Sequence, residues 1–158
     1  QYGVFVAWIV VAAMFHKSIL VVIPVYLLAH LLAEHEIPKF LYAIGGAFLV
    51  SLVVFKDFYR RIIFFFYPFY EGSAFDKVDF SVTNIAKCMG VLVLCLVFYK
   101  VVIKDSVPLK FYFFLNLMGL AVYTFGSFIP EVSRIGYYMI VSQIFLIPSV
   151  KALPSFVK

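Results

Sequence analysis

The residues best suited to chemistry are a few basic side chains at the ends of apolar segments. His16 and Lys17 lie together between two such segments, and Glu131 and Arg134 precede a tyrosine-rich stretch. An imidazole beside a membrane can act as a base near neutral pH, and arginine offers a planar fork of donors that fits a phosphate. The same residues also fit a polar turn with a snorkelling lysine and an Arg–Glu pair beside interfacial aromatics.

The helical periodicity after Pro130 adds one further candidate. Arg134 and Tyr138 are four residues apart, so they share one face of a helix, and Ser142 continues the stripe. Ionisable residues at or within a membrane span are costly and commonly line a cavity or site. We therefore predict that Arg134 and Tyr138 act together.

A second group of candidates lies in the one long connection, at about 56–84, whose length suggests a functional loop. Its aromatic stretch, 64–70, is too short to span a bilayer, but its rings can stack on sugar rings while nearby carboxylates bond hydroxyl groups. An interfacial aromatic anchor is an equally good interpretation. The candidate residues for substrate binding here are Arg60, Arg61, Tyr67, Tyr70 and Glu71.

Other polar residues give weaker signals. His30 and Glu34 are four apart at a helix end, but no further ligands accompany them, so we expect a solvated helix end and no metal site. Cys88 and Cys95 lie two helical turns apart, too far for a disulfide and too few for zinc. No glycine-rich phosphate loop, nucleophile elbow or HExxH motif is present, and we expect no cofactor.

The amino-acid composition indicates which class of protein contains these candidate residues. Hydrophobic residues make up 65% of the chain and charged residues 13%, against roughly half and a quarter in soluble domains. Such a chain of 158 residues cannot build a polar coat, so we predict an all-α polytopic transmembrane bundle. The net charge of +5 is scattered as single residues, which argues against a nucleic-acid partner.

The bundle is expected to be a single transmembrane domain fragment over 1–158, with an outer loop at about 56–84. Since the chain begins at Gln1, almost within an apolar segment, we expect it to be the C-terminal part of a longer protein. Lysines cluster at the ends of alternate connections, which favours a cytoplasmic side there and places His16, Lys17 and every arginine outside. The predicted spans are about 3–15, 19–33, 39–55, 85–103, 111–129 and 136–154.

Two stretches together resemble the EpsG family of bacterial exopolysaccharide and Wzy-like O-antigen polymerase proteins. The stretch 15–26, FHKSILVVIPVY, resembles the family's "FHxSAL…lPxY" junction. The stretch 134–138, RIGYY, follows a span that opens with FYFFLN at 111–116 and resembles the C-terminal "RIxxYF" signature. Tyr67 and Tyr70 are similar to its "Y..Y" pair, and the order fits over nearly the whole chain.

The departures from the family pattern are mild. Ile19 replaces the usual small residue, Met139 stands where phenylalanine is usual, and family members are roughly twice as long. The resemblance implies a glycosyltransferase-type polymerase, multi-pass in the bacterial inner membrane, that joins repeat units carried on undecaprenyl pyrophosphate at the outer face. The implied partners are a lipid-linked oligosaccharide, membrane lipid and other polysaccharide-assembly proteins.

Within that implied reaction, His16 and Arg134 are the predicted catalytic residues. His16 would deprotonate the attacking hydroxyl, and Arg134 would stabilise the departing pyrophosphate. Lys17 and Tyr138 join the predicted substrate-binding set. A transporter or flippase subunit for a lipid-linked saccharide and a structural membrane subunit are the alternative functions.

Overall fold

The computed structural model describes residues 2–15, 17–73, 76 and 80–151. Within these ranges the chain forms helices and no strand, which confirms the all-α prediction. Shorter turns are a 3₁₀ helix at Lys17–Val21, another at Pro68–Tyr70 and a π-helical turn at Tyr99–Ile103. The α-helices are α1 Tyr2–Ala13, α2 Val22–Glu34, α3 Lys39–Val54, α4 Lys56–Phe66, α5 Val82–Val97, α6 Val107–Phe125, α7 Val132–Ile140 and α8 Gln143–Lys151.

Helix α6 is the centre of the fold, because α2, α5, α7 and α8 all pack against it. Its sequence is apolar on every side, as expected of a helix that is surrounded either by other helices or by lipid. The side chain of Ser106 caps its first turn by accepting from the amide of Leu109 at 3.4 Å. Because α6 is 19 residues long, its two ends are about 28 Å apart at 1.5 Å per residue.

The six-span prediction is not confirmed. In the described part of the chain, α6 is long and apolar enough to cross a membrane, and α3 with α4 gives a second candidate only if the bent pair is one span. The remaining apolar helices, α1, α2 and α5, have 12, 13 and 16 residues, short of the ~20 that a crossing needs. The chain is thus an all-helical protein with at least one membrane-capable helix.

The predicted outer loop contains a helix of its own. Residues 56–66 form α4, which is bent by 83° from α3 at Phe55. Phe58, Phe65 and Phe66 of α4 are exposed, while Phe64 is buried. An amphipathic helix with lysine and arginine on one side and phenylalanine on another is typical of a helix that lies in the membrane interface.

The predicted last span, 136–154, is divided into α7 and α8. The backbone tightens at the joint, where the amides of Ser142, Ile144 and Phe145 each bond a carbonyl three residues earlier. At this joint the side chain of Gln143 meets α6: its Nε2 donates a hydrogen bond of 2.8 Å to Oδ1 of Asn116. The expected stripe from Arg134 through Ser142 is therefore interrupted, because Ser142 lies beyond the end of α7 and is buried.

Two glycines allow α6 and α7 to approach closely. A Cβ atom at Gly119 would lie 3.3 Å from Cβ of Met139. A Cβ atom at Gly136 would overlap the ring of Tyr123, which is fully buried and donates a hydrogen bond of 3.1 Å to the carbonyl of Ser133. Small residues at such crossings let backbones pack closely in membrane bundles, so Gly119 and Gly136 let α7 lie close against α6.

Candidate functional site

A cavity lies where three parts of the chain that are far apart in sequence come together. Its lining residues come from positions 15 and 17–21, from 63–70 and from 129–135. The cavity has a volume of about 570 Å³, within the usual range of small-molecule sites. Its lining residues are Phe15, Lys17, Val21, Ile63, Tyr67, Phe69, Tyr70, Ile129, Pro130, Glu131 and Ile135.

The aromatic wall of the cavity is set by a short turn after α4. Pro68 opens the 3₁₀ helix Pro68–Tyr70, and its fixed φ suits that position. The ring centroids of Phe69 and Tyr70 are 4.4 Å apart, and those of Tyr67 and Tyr70 are 6.3 Å apart. Three aromatic rings thus form one cluster beside the cavity, and the predicted pair of Tyr67 and Tyr70 lines it.

Arg60 has a structural partner. Its Nη2 lies 2.5 Å from Oδ1 of Asp76, while Oδ2 of Asp76 accepts from the amide of Gly72 at 3.0 Å. The guanidinium also lies over the ring of Phe64, 5.2 Å from its centroid. Asp76 therefore ties α4 to the turn that follows Tyr70, and Arg60 holds that turn in place without lining the cavity.

Glu131 and Arg134 form an ion pair at the cavity's edge, between Oε2 and Nε. Glu131 lines the cavity and its side chain is only 9% exposed, whereas that of Arg134 is 50% exposed. The predicted residue Arg134 thus contacts the cavity through Glu131. The sequence signal for Glu131 was its spacing of three from Arg134, which predicted the pair but not the carboxylate's place in the cavity wall.

The electrostatics of the cavity act on Tyr70. Burial, followed by the Glu131 carboxylate, raises the pKa of Tyr70 above its usual 10.0, while the Arg134 guanidinium opposes the shift. A phenol whose pKa is raised stays protonated throughout the neutral range. Tyr70 can therefore donate a hydrogen bond as well as offer a ring face.

The other predicted site residues are divided between the cavity and its surroundings. Lys17 lines the cavity, but His16 lies outside the described residues. Arg61 and Glu71 are exposed and are not part of the lining. Tyr138 is half-buried, and its backbone carbonyl accepts a hydrogen bond of 2.9 Å from the hydroxyl of Tyr26.

Metal binding has no support in the described ranges. His30 Nε2 lies 3.2 Å from Glu34 Oε1 on the same helix, so these two side chains bind each other. No group of three or more His, Cys, Asp or Glu side chains converges in the part of the chain that the structure describes. Cys88 and Cys95 are both buried and unbonded to each other, as the sequence predicted.

Comparison with known proteins identifies the family. Residues 2–155 match the model of the EpsG family, which covers nearly the whole chain. No curated protein and no solved structure gives a match. The chain therefore belongs to the EpsG family, and the resemblance in its two short motifs is confirmed.

Proposed function

We propose that this member of the EpsG family is a membrane polysaccharide polymerase that joins oligosaccharide repeat units carried on undecaprenyl pyrophosphate. Membership makes it an exopolysaccharide-related membrane protein. The observation that carries the finer proposal is the cavity, which combines aromatic faces, a lysine and a carboxylate at one end of the bundle. Aromatic faces suit the sugar rings of such a substrate, and the lysine suits its phosphate groups.

The aromatic cluster supports the saccharide part of the proposal. A sugar ring has apolar C–H faces and polar edges, so it binds where flat aromatic surfaces lie beside hydrogen-bonding groups. The rings of Tyr67, Phe69 and Tyr70 supply the surface, and the protonated Tyr70 hydroxyl supplies a donor. We infer that this wall holds a sugar of the repeat unit next to the bond that reacts.

The cations support the pyrophosphate part. In the proposed reaction a hydroxyl of the incoming unit attacks the anomeric carbon of the growing chain. The bond from that carbon to the pyrophosphate oxygen breaks, and its electron pair leaves with the lipid pyrophosphate. Lys17 in the cavity wall and Arg134 at its edge supply fixed positive charge where negative charge develops.

Helix α4 supports a substrate that arrives from the membrane. Ile63 of α4 lines the cavity, while Phe58 and Phe65 are exposed on another side of the same helix. A helix that lies in the headgroup layer would place the cavity at the depth of a lipid pyrophosphate. We propose that this end of the bundle faces outward from the bacterial inner membrane, where Arg61 and Glu71 would meet the same saccharide.

Reconstitution tests the proposed function. The chain is placed in liposomes with lipid-linked repeat units extracted from the producing organism after its own copy of this gene is deleted. Chain growth, seen as a ladder of products by gel electrophoresis, is the expected result. Liposomes with a chain that carries Arg134→Ala serve as the matched control, because the same protein lacks the edge cation.

A transporter for the lipid-linked saccharide is the alternative, and the assay separates the two. Buried amides do occur within the bundle, since Asn116 bonds both Gln143 and the carbonyl of Cys88. Because these groups satisfy one another, we interpret them as a structural tie between α5, α6 and α8. Movement of the substrate across the bilayer without chain growth would establish the transporter, and neither activity would leave a structural subunit.

A further inference from the structure

Glu131 is the only acidic side chain among the described residues that line the cavity. It lines the same cavity as Lys17 and the aromatic cluster. A cavity that binds an anionic pyrophosphate has no electrostatic use for a carboxylate, because like charges repel. The position of Glu131 therefore points to a task other than holding the leaving group.

The backbone at Glu131 is held in an uncommon conformation. Its φ of 59° and ψ of 26° place it in the left-handed region, a strained conformation for a non-glycine residue that persists where the surrounding structure imposes it. The amides of Arg134 and Ile135 bond its carbonyl at 2.9 and 3.3 Å, and so fix it as the first residue before α7. Glycine would relieve the strain, yet the chain has a carboxylate there.

The carboxylate does not serve the helix that it precedes. The Glu131 side chain makes no bond to a backbone amide in the first turn of α7, so it does not cap the helix. It is instead directed to the cavity, nearly buried and oriented by the Nε of Arg134. A carboxylate that is oriented by an ion pair and lies in the wall of a substrate cavity is suited to act as a general base in sugar chemistry.

We infer that Glu131 is the general base of the proposed polymerase, an assignment that rests on the proposed function. As the acceptor hydroxyl oxygen bonds the anomeric carbon, its proton passes to a carboxylate oxygen of Glu131. The carbon–oxygen bond to the pyrophosphate breaks in the same displacement, and the pyrophosphate oxygen keeps the electron pair. Arg134 is then a positioning residue for the base as well as a cation beside the leaving group.

This inference assigns the base to a different residue from the sequence-based prediction of His16. His16 lies outside the described residues and stays a prediction, whereas Glu131 lines the cavity and is held by its ion pair. A role limited to holding Arg134 is the competing explanation. The two differ in whether the carboxylate exchanges a proton during the reaction.

Chain growth by the reconstituted protein at saturating lipid-linked substrate tests the assignment. Glu131→Gln keeps the shape but cannot accept the proton, so we expect a fall of about 100-fold or more. Glu36→Gln, an exposed residue of the α2–α3 connection, is the matched control and should grow chains at the wild-type rate. Protein yield and thermal stability of each variant in detergent identify any loss that comes from misfolding.

Rescue by small carboxylates distinguishes the base from a structural partner. Glu131→Gly adopts the left-handed backbone without strain and leaves room for chloroacetate, formate or acetate. A base predicts that the rescued rate rises with the basicity of the added carboxylate. The assignment is overturned if rescue is absent, if it does not follow basicity, or if Glu131→Gln works at the wild-type rate. In each case chain growth by the wild-type protein still supports the polymerase. A wild-type protein that extends no chain overturns both.

Discussion

The hydroxyl of Tyr26 on α2 donates a hydrogen bond of 2.9 Å to the backbone carbonyl of Tyr138 on α7. The edge of the Phe111 ring, from the start of α6, lies against the same tyrosine with centroids 5.5 Å apart. The three sequence stretches that carry the family resemblance therefore meet at one side chain. Tyr26 fixes α7 against α2, and α7 in turn carries Arg134.

Tyr26→Phe should lower the stability of the bundle modestly. The ring contacts remain, but one interhelical hydrogen bond is lost, and such bonds in membrane proteins contribute about 0.6 kcal/mol on average. Thermal unfolding in detergent measures the change. Tyr42→Phe, on the exposed surface of α3, should leave the unfolding temperature unaltered; an equal effect at both positions would contradict a specific role for Tyr26.

Gly136→Ala should destabilise the protein and displace the start of α7. The new methyl group would overlap the buried ring of Tyr123, and overpacking of this kind costs about 1–3 kcal/mol. Gly90→Ala is the matched control, because a Cβ atom there meets nothing within 4 Å and alanine is the better helix former. Denaturation curves should move in opposite directions for the two variants, and a stable, fully active Gly136→Ala would exclude a close crossing.

Helix α4 should lie in the lipid headgroup layer. Trp8 is the sole tryptophan of the chain, so a Trp8→Phe protein that also carries Phe65→Trp reports from the exposed side of α4. Brominated lipids should quench the fluorescence of this tryptophan strongly. A tryptophan placed instead at position 56 (Lys56→Trp) lies about 180° around the helix, and its fluorescence should be quenched much less. Equal quenching at 56 and 65 would show that α4 does not lie along the interface.

Arg134→Lys should reduce polymer formation strongly while the protein still inserts at normal levels. Lysine keeps the charge but lacks the planar fork that can bind Glu131 and a phosphate together. A lost charge-assisted hydrogen bond costs about 1.5–3 kcal/mol, roughly a 10- to 150-fold loss of rate. Product ladders from liposomes check this. Near-wild-type polymer from Arg134→Lys would exclude the two-point contact, and near-wild-type polymer from Arg134→Ala would exclude any role in catalysis.

The all-α class could be predicted from the sequence because its apolar runs lack the alternation of strands, and the described residues form helices and no strand. The number of spans could not be predicted, since apolar runs do not reveal where a helix tightens or bends. The structure has a joint at Ser142, next to the bond between Gln143 and Asn116, and an 83° bend at Phe55.

The roles of Lys17, Tyr67 and Tyr70 in a site stay predictions, but the structure does bring these residues together in the wall of one cavity. Residue type was the signal for these three, since a basic residue and two tyrosines stand out in an apolar chain. The structural role of Arg60 could not be predicted. Its partner Asp76 is sixteen residues away in sequence, and a separation of that length gives no periodic signal. The cavity position of Glu131 depends on a left-handed backbone that glutamate rarely adopts, so no sequence pattern predicts it.

Blocking the cavity tests most directly whether polymerisation takes place there. Ile63→Cys, in a protein with Cys88→Ala and Cys95→Ala, places one thiol in the cavity wall, and Ser106→Cys places one at the other end of α6 as the control. After labelling with a bulky maleimide, chain growth in liposomes should stop for the protein labelled at position 63 and continue for the one labelled at position 106. Lipid-linked substrate should slow the labelling of position 63 and leave that of position 106 unchanged. Undiminished growth after complete labelling at position 63 would contradict the account.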